Sequence, residues 1–169
     1  ESMTPAPVEL NGLLGLLEKL LRSLLGEQVA VHLNPYPSPL WIMADESRIL
    51  QALLNLGANA QDAMPNGGKL TVRAFDIKSG HGHEMERMAE IVVEDDGEGM
   101  AEETVNRIFD PFFTTKRETG GTGLGLSVSM GIIREHKGQL LFESEPGEGT
   151  TVRIILPGVK KMEEEGSYA

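Results

Sequence analysis

The segment of sequence that decides the fold is IVVEDDGEGM, residues 91–100, in which three β-branched residues are followed by four acids and two glycines. An unbroken β-branched run of this kind favours a buried strand. The glycines after it allow a sharp turn of the backbone and the close approach of a flat ligand. Asp95, a carboxylate at a strand end, can accept a hydrogen bond from an amino group of such a ligand. Taken alone, the segment also fits a turn that carries two solvated acids.

Patterns on either side of this strand predict an α+β fold. Leucines at helical spacing predict a first helix over residues 10–25 that ends at Gly26, and Asp45 is the expected N-cap of a second helix that runs to about residue 64. A short helix is expected over residues 102–108 and a third main helix over 123–136. Strands are expected at residues 29–33, 41–43, 70–74, 91–93, 140–142 and 150–156, and a surface loop at 77–87. We therefore expect a two-layer α/β sandwich, with three main helices on one face of a mixed, mostly antiparallel sheet of about five strands.

The composition fits a single globular domain. The chain has 169 residues, 40% hydrophobic and 24% charged, and no cysteine, which excludes disorder, a disulfide scaffold and thiol chemistry. We expect one domain over residues 1–159, with its core at about 8–157, and a charged tail or linker over 160–169. The net charge of −11 disfavours binding to nucleic acid or an anionic membrane. An anionic ligand would need local backbone amides, a few cations or a metal ion.

A polar stripe lies along the second predicted helix. Spacings of four, four and three residues place four polar side chains on one helical face: Gln51, Asn55, Asn59 and Asp62. A solvated face is the common explanation of such a stripe. Asn is a mediocre helix former, however, and a free surface position would favour Glu, Lys or Arg. Since an amide oxygen is a suitable ligand for magnesium, the stripe also predicts a metal site.

A glycine-rich run, GGTGLGL at residues 120–126, opens the third main helix. Glycines at this position expose backbone amides at a helix N-terminus, which is a site for phosphate, and Lys116 and Arg117 lie close enough in sequence to contact the same anion. The run is neither a Walker loop nor the dinucleotide fingerprint, because the required Lys-Ser/Thr pair and third glycine are missing. A flexible hinge is the alternative explanation, and the adjacent basic pair favours the anion site.

The histidines indicate no catalytic or metal site. His81 and His83 lie beside Glu84 without a third well-spaced ligand, so a solvated loop is the preferred interpretation. His32 alternates with apolar strand residues and is expected to face outward. His136 is expected to be a helix-end residue favoured by the dipole.

Together, these segments resemble the catalytic ATP-binding domain of bacterial two-component sensor histidine kinases, in particular the nitrogen-regulation-like branch. The segments in question follow the order of the family's motifs: NLGANAQDA at residues 55–63 resembles the N box, 95–99 the first glycine box, FDPFFTTK at 109–116 the F box, GTGLGL at 121–126 the second glycine box and GEGT at 147–150 the last one. The resemblance covers about residues 8–157. It implies the Bergerat ATP-binding fold, which gyrase B, mismatch-repair ATPases and a heat-shock chaperone share.

The resemblance also implies roles for particular residues. Asn59 would coordinate the Mg²⁺ that bridges the ATP phosphates, and Asn55 would support it or a nearby water. Lys116 would meet a phosphate and complete the catalytic set. Asp95 would accept a hydrogen bond from the adenine amino group, and Thr150 would hold a water on the adenine.

Further residues of the implied ATP site shape its walls and its lid. Gly97 and Gly99 would leave room for the purine, and residues 110–122 would form the lid. The other positions expected to contact ATP are Asp62, Ala63, Met100, Ile108, Phe113, Thr115, Gly121, Thr122, Gly123, Leu124, Gly125 and Leu126. Among these, Met100 and Ile108 would supply apolar walls, and the glycines of the second glycine box would present amides to the phosphates.

The resemblance implies a function as well. The domain would bind Mg-ATP and donate the γ-phosphoryl group to a histidine on a separate dimerisation domain, for onward transfer to an aspartate of a response regulator. None of the four histidines lies in a segment like the family's His-Glu-x-x-Asn-Pro, so the chain is expected to be the catalytic domain alone. Its partner domain would belong to the same parent protein. The domain would act in the cytoplasm, by itself or as the cytoplasmic part of a membrane-bound sensor, without touching the membrane.

Two other functions fit the same fold. One is a protein serine kinase of the anti-sigma-factor type, which would transfer the phosphoryl group to a hydroxyl. The other is a non-catalytic module that senses a nucleotide. The presence of Asn59, Lys116 and all three lid glycines argues mildly against the second, because a degenerate site could dispense with some of them.

Overall fold

The strands of the domain divide into one large and one small sheet. The computed structural model describes residues 2–80, 86–108 and 125–159. The elements are β1 (Ala6–Glu9), α1 (Leu10–Leu25), β2 (Val29–Asn34), β3 (Trp41–Ala44), α2 (Glu46–Asp62), β4 (Gly68–Ser79), β5 (Glu86–Asp95), α3 (Glu102–Val105), α4 (Gly125–Glu135), β6 (Gln139–Glu145) and β7 (Gly149–Pro157). Five strands form the large sheet in the order β2-β4-β5-β7-β6, and β1 pairs with β3. The pair β2·β4 is parallel, and the other pairs are antiparallel.

The hydrophobic core lies between one face of the large sheet and the helices α1, α2 and α4. The helices contribute buried leucines and isoleucines, and the sheet contributes alternate residues of its strands, such as Ile91 and its register partner Ile154. The opposite face of the sheet carries ion pairs between neighbouring strands, Arg73 with Glu94 and Arg153 with Glu90. The predicted fold, with helices over one face of a mostly antiparallel five-stranded sheet, is therefore confirmed.

Local signals fix the ends of the two long helices, and Gly26 and Asp45 take the positions predicted for them. Glu9 caps α1 by accepting a hydrogen bond from the Gly12 N–H, and Gly26 ends the helix with a φ of 72°. Asp45 caps α2 by accepting a hydrogen bond from the Arg48 N–H at 3.3 Å.

The prediction of a surface loop over residues 77–87 is wrong at both of its ends, and residues 81–85, with His81, His83 and Glu84, lie outside the described residues. The strands β4 and β5 continue to Ser79 and Glu86, which are register partners. Across this extension the Arg87 guanidinium binds the Asp76 carboxylate through two nitrogens, with Nη2 2.8 Å from Oδ2. The extension escapes a search for apolar alternation because cross-strand pairs of polar residues stabilise it.

His136 is also placed differently from its prediction. Its side chain is only 5% exposed. Its Nε2 accepts a hydrogen bond from the Asp45 N–H at 3.0 Å, and Nδ1 lies 2.8 Å from the Ile132 carbonyl oxygen, so the proton sits on Nδ1. His136 is therefore a buried link between the end of α4 and the cap of α2. His32, by contrast, is exposed on β2 as predicted.

Candidate functional site

Buried polar groups gather where β5 ends and β7 begins. Along these strands, register partners on the helix-covered face are apolar until the last pair, Asp95 with Thr150. Both side chains are nearly inaccessible, at 7% and 8% exposure. Buried polar groups of this kind need hydrogen-bond partners. The row of core residues thus ends in two polar side chains that lie next to each other.

The Asp95 carboxylate is held as a hydrogen-bond acceptor. Its Oδ1 accepts a bond from the Gly97 N–H at 2.9 Å. Burial raises the pKa of this carboxyl above its ordinary value, while the backbone N–H groups of Gly97 and Thr150 act in the opposite direction. These two N–H groups therefore offset only part of the cost of burying the negative charge. A ligand amino group that donates to the carboxylate would stabilise its ionised form further.

We expect Asp95→Asn to stabilise the nucleotide-free domain at pH 7. A carboxyl whose folded pKa is raised contributes most to stability below its unfolded pKa of 3.8, and that contribution is lost as the pH rises through the folded pKa. Removing the charge should therefore increase the free energy of unfolding by about 1 kcal/mol at neutral pH. Urea unfolding of both proteins between pH 4 and pH 8 measures the gain, which should shrink toward pH 4. A variant that is less stable than the wild type at pH 7 contradicts this expectation.

The loop after β5 is fastened to two neighbouring segments. The Glu98 N–H donates to the Ala63 carbonyl at 3.0 Å, and the Gly147 N–H donates to the Glu98 carbonyl at 2.7 Å. A Cβ on Gly97 would crowd the Ala63 carbonyl oxygen, and one on Gly99 would overlap the carbonyl oxygen of Glu145. The protein's own backbone therefore requires both glycines, and their predicted role in making room for a purine stays a prediction.

A serine that the sequence did not single out joins this loop to the end of the sheet. The Ser144 Oγ accepts a hydrogen bond from the Met100 N–H at 2.9 Å and lies 2.8 Å from the Thr150 Oγ1. Ser144 and Thr150 are register partners on β6 and β7. Only the register between these strands reveals the contact, because nothing in the local sequence of β6 points to it.

Asn59 lies on the other side of the candidate site. Its side chain is half-buried, and within the described residues its Nδ2 is buried and has no hydrogen-bond partner. A Cβ on Gly125, the first residue of α4, would lie 3.5 Å from that nitrogen. The Asn59 amide thus faces the N-terminus of α4, where backbone N–H groups attract anions. Leaving a buried amide without a partner costs about 1–3 kcal/mol, which a ligand could recover.

The polar stripe of α2 divides into two parts. Asn55 and Asn59 are half-buried, whereas Gln51 and Asp62 are exposed. An exposed helical face therefore accounts for Gln51 and Asp62 only.

Some of the predicted site residues lie near one another in the structure, and others lie outside the described residues. Ile108 is buried, Met100 is half-buried, and Leu126 packs against the core from α4. The predicted positions that lie outside the described residues are Phe113, Thr115, Lys116, Gly121, Thr122, Gly123 and Leu124. The predicted lid over residues 110–122 and the predicted tail over 160–169 also lie outside the described residues.

The donor set fits a magnesium ion better than a metal held by protein ligands alone. Within residues 2–80, 86–108 and 125–159 there is no cluster of three or more His, Asp or Glu side chains that could hold a metal. An Asn oxygen together with phosphate oxygens and water is, however, a common ligand set for Mg²⁺. Since the two ends of an amide differ only by a rotation, the buried position of Asn59 can present Oδ1 to such an ion.

Comparison with known proteins defines the family to which the chain belongs. Residues 44–160 match the family described as histidine kinase-, DNA gyrase B- and HSP90-like ATPase. The chain belongs to this family of ATPases. No helix in the described part of the chain is long and apolar enough to cross a membrane.

Several proteins to which the chain is similar are sensor kinases. It is 37% identical to sensor kinase CckA of Brucella abortus over 165 residues, which are 93% of this chain and 17% of CckA. The catalytic domain of histidine kinase ThkA is 30% identical with a TM-score of 0.75, covering 92% of this chain and 98% of that one. Full-length ShkA in complex with AMPPNP is 28% identical with a TM-score of 0.73, covering 94% and 32%. ThkA in complex with the response regulator protein TrrA is 26% identical with a TM-score of 0.74, covering 94% and 43%.

These findings confirm the predicted resemblance to sensor histidine kinases and the predicted fold. The chain spans about a sixth of the length of CckA (17%). The assignment to a nitrogen-regulation-like branch stays a prediction.

Proposed function

We propose that this domain binds Mg-ATP and donates the γ-phosphoryl group to a histidine on a dimerisation domain of the same parent protein. A response-regulator aspartate would then receive the phosphoryl group. The observation that carries the proposal is the buried amide nitrogen of Asn59, which has no hydrogen-bond partner among the described residues and faces the start of α4. Membership of the ATPase family and the similarity to sensor kinase CckA support it, as do the ShkA complex with AMPPNP and the ThkA complex with a response regulator.

The adenine would bind at the end of β5. Asp95 accepts hydrogen bonds there in a buried setting, and the exocyclic amino group of adenine is a donor of matching chemistry. Guanine carries a carbonyl oxygen at the same position of the ring. A buried carboxylate facing that oxygen would leave two acceptors in contact, so the site should reject GTP.

The phosphates would bind between α2 and the start of α4. Asn59 would hold Mg²⁺, which when bound neutralises phosphate charge and orients the γ-phosphoryl group. The backbone N–H groups at the start of α4 would add positive potential. Lys116, at a position outside the described residues, would contact a phosphate. Local neutralisation of this kind explains how a domain with a net charge of −11 can bind a polyphosphate.

Phosphoryl transfer would need little covalent chemistry from this chain. The bond between the γ-phosphorus and the ADP oxygen breaks as a phosphorus–nitrogen bond forms on the acceptor histidine. The domain contributes positioning and charge stabilisation, which are the main contributions in phosphoryl transfer. Cytoplasmic location follows from the proposal, because ATP and response regulators meet the domain there.

Asn59→Ala tests the proposal directly. In calorimetric titrations with magnesium present, we expect the wild type to bind ATP with a micromolar to sub-millimolar dissociation constant, which corresponds to a binding free energy of roughly 5–8 kcal/mol. The variant should lose about 30-fold in affinity with magnesium and much less in EDTA, because the lost ligand acts through the ion. Gln51→Ala, an exposed position on the same helix, is the matched control and should bind like the wild type.

Labelled ATP then separates the three candidate functions. Mixed with the parent's dimerisation domain, the wild type should label a histidine. Labelling of a serine in another protein would favour the serine kinase, and ATP binding without any transfer would favour the nucleotide-sensing module. A correctly folded wild type that does not bind ATP, or binds GTP equally well, would overturn the proposal.

A further inference from the structure

The Ser144 hydroxyl contacts three polar groups, and each contact constrains its single proton. Its Oγ lies 2.9 Å from the Met100 nitrogen, 3.2 Å from the Gly149 carbonyl oxygen and 2.8 Å from the Thr150 Oγ1. A hydroxyl has one proton to donate and two lone pairs that accept. Three contacts therefore use its complete hydrogen-bonding capacity.

Only one arrangement of protons satisfies all three contacts. The Met100 N–H can only donate, so it takes one lone pair of Ser144. The Gly149 carbonyl can only accept, so it takes the Ser144 proton. The remaining contact then requires the Thr150 hydroxyl to donate its own proton to the second lone pair of Ser144.

Thr150 is left with lone pairs alone. Its proton is committed to Ser144, so toward any other group the Thr150 Oγ1 can only accept a hydrogen bond. Its neighbour across the strands is Asp95, whose ionised carboxylate is also only an acceptor. Two buried acceptors therefore stand side by side where the adenine is proposed to bind.

We propose that Ser144 is a positioning residue for nucleotide selection, which fixes Thr150 as an acceptor so that Asp95 and Thr150 together favour a 6-aminopurine over a 6-oxopurine. The inference rests on the proposed function, because it assigns the adenine to this end of β5. A free Thr150 hydroxyl could donate to a carbonyl oxygen at position 6 of the ring. Ser144 removes that option while it holds the Met100 backbone in place.

The test compares ATP with inosine triphosphate, which carries oxygen in place of the 6-amino group. We expect the wild type to bind ATP at least about 100-fold more tightly than inosine triphosphate. In Ser144→Ala the Thr150 proton is released, and the ratio of the two dissociation constants should fall about tenfold, with inosine triphosphate binding more tightly than to the wild type. Ser144→Thr retains a hydroxyl and should retain the wild-type ratio.

Ser129→Ala controls for a loss of stability alone. Ser129 is fully buried and donates to the Ala52 carbonyl at 2.9 Å between α4 and α2. This variant should lower the unfolding temperature, as Ser144→Ala should, but leave the nucleotide ratio unchanged. If Ser144→Ala keeps the wild-type ratio while still binding ATP, the inference is wrong and the proposed function stands. If the folded wild type fails to bind ATP, the proposed function fails and the inference fails with it.

Discussion

Asp95→Asn should raise the dissociation constant of ATP about 100-fold in calorimetric titrations. The carboxylate accepts a hydrogen bond from the Gly97 N–H, and the Thr150 N–H also favours its ionised form. An amide in its place must turn its NH₂ group toward one of these donors or toward the adenine amino group. In each orientation a donor faces a donor in a buried site, which costs a hydrogen bond and adds repulsion. A loss of less than threefold would contradict this expectation.

Two comparisons exclude trivial explanations for that loss. The same variant is expected to be more stable than the wild type without nucleotide, so weaker binding cannot come from unfolding. Asp96→Asn removes an equal charge one residue away, at an exposed side chain whose Oδ1 accepts a hydrogen bond from the Lys69 N–H at 2.8 Å. ATP affinity should change little in that variant, because a solvated charge contributes weakly.

Gly99→Ala should cost more than about 3 kcal/mol of the free energy of unfolding. Gly99 has a φ of 66°, and an added Cβ would overlap the Glu145 carbonyl oxygen, which is backbone and cannot rotate away. Either the loop after β5 or the turn between β6 and β7 must move. Such a shift would break the hydrogen bond between the Gly147 N–H and the Glu98 carbonyl. Urea unfolding measures the loss, and a variant that fails to fold at 25 °C agrees with it.

Gly147→Ala is the matched control, since it separates backbone strain from steric overlap. Gly147 also has a positive φ, 79°, but an added Cβ would meet no heavy atom within 4 Å. The left-handed conformation alone should cost about 1 kcal/mol. If both alanine variants have the same free energy of unfolding, the overlap at Gly99 does not destabilise the domain.

Sequence patterns were sufficient for the parts of this fold that depend on short-range order. The leucine spacing of α1, the Asp45 cap of α2 and the β-branched run of β5 each contain their own signal, and the structure agrees with all three. β1 carries Pro7 and no clear alternation, so its pairing with β3 was missed. The polar extension of β4 and β5 was missed because cross-strand partners, and not apolar alternation, stabilise it.

The candidate site shows the same division. Asn59, Asp95 and the glycines after it were identified because they lie in short motifs. Ser144 and the buried state of His136 depend on which residues meet across strands and between helices. A single sequence does not contain that register, so contacts of this kind come only from the fold.

The strand order has a consequence for how the domain opens. β5 is the central strand of β2-β4-β5-β7-β6, so it is hydrogen-bonded on both sides, whereas β2 and β6 form the edges. Partial unfolding begins at edges and termini and reaches central strands last. Asp95 lies on that central strand, while Ser144 lies on the edge strand β6. Fraying of β6 would therefore release the Thr150 proton while Asp95 is still held in the sheet. On heating, discrimination between purines would be lost at a lower temperature than the one at which the Asp95 carboxylate leaves its position.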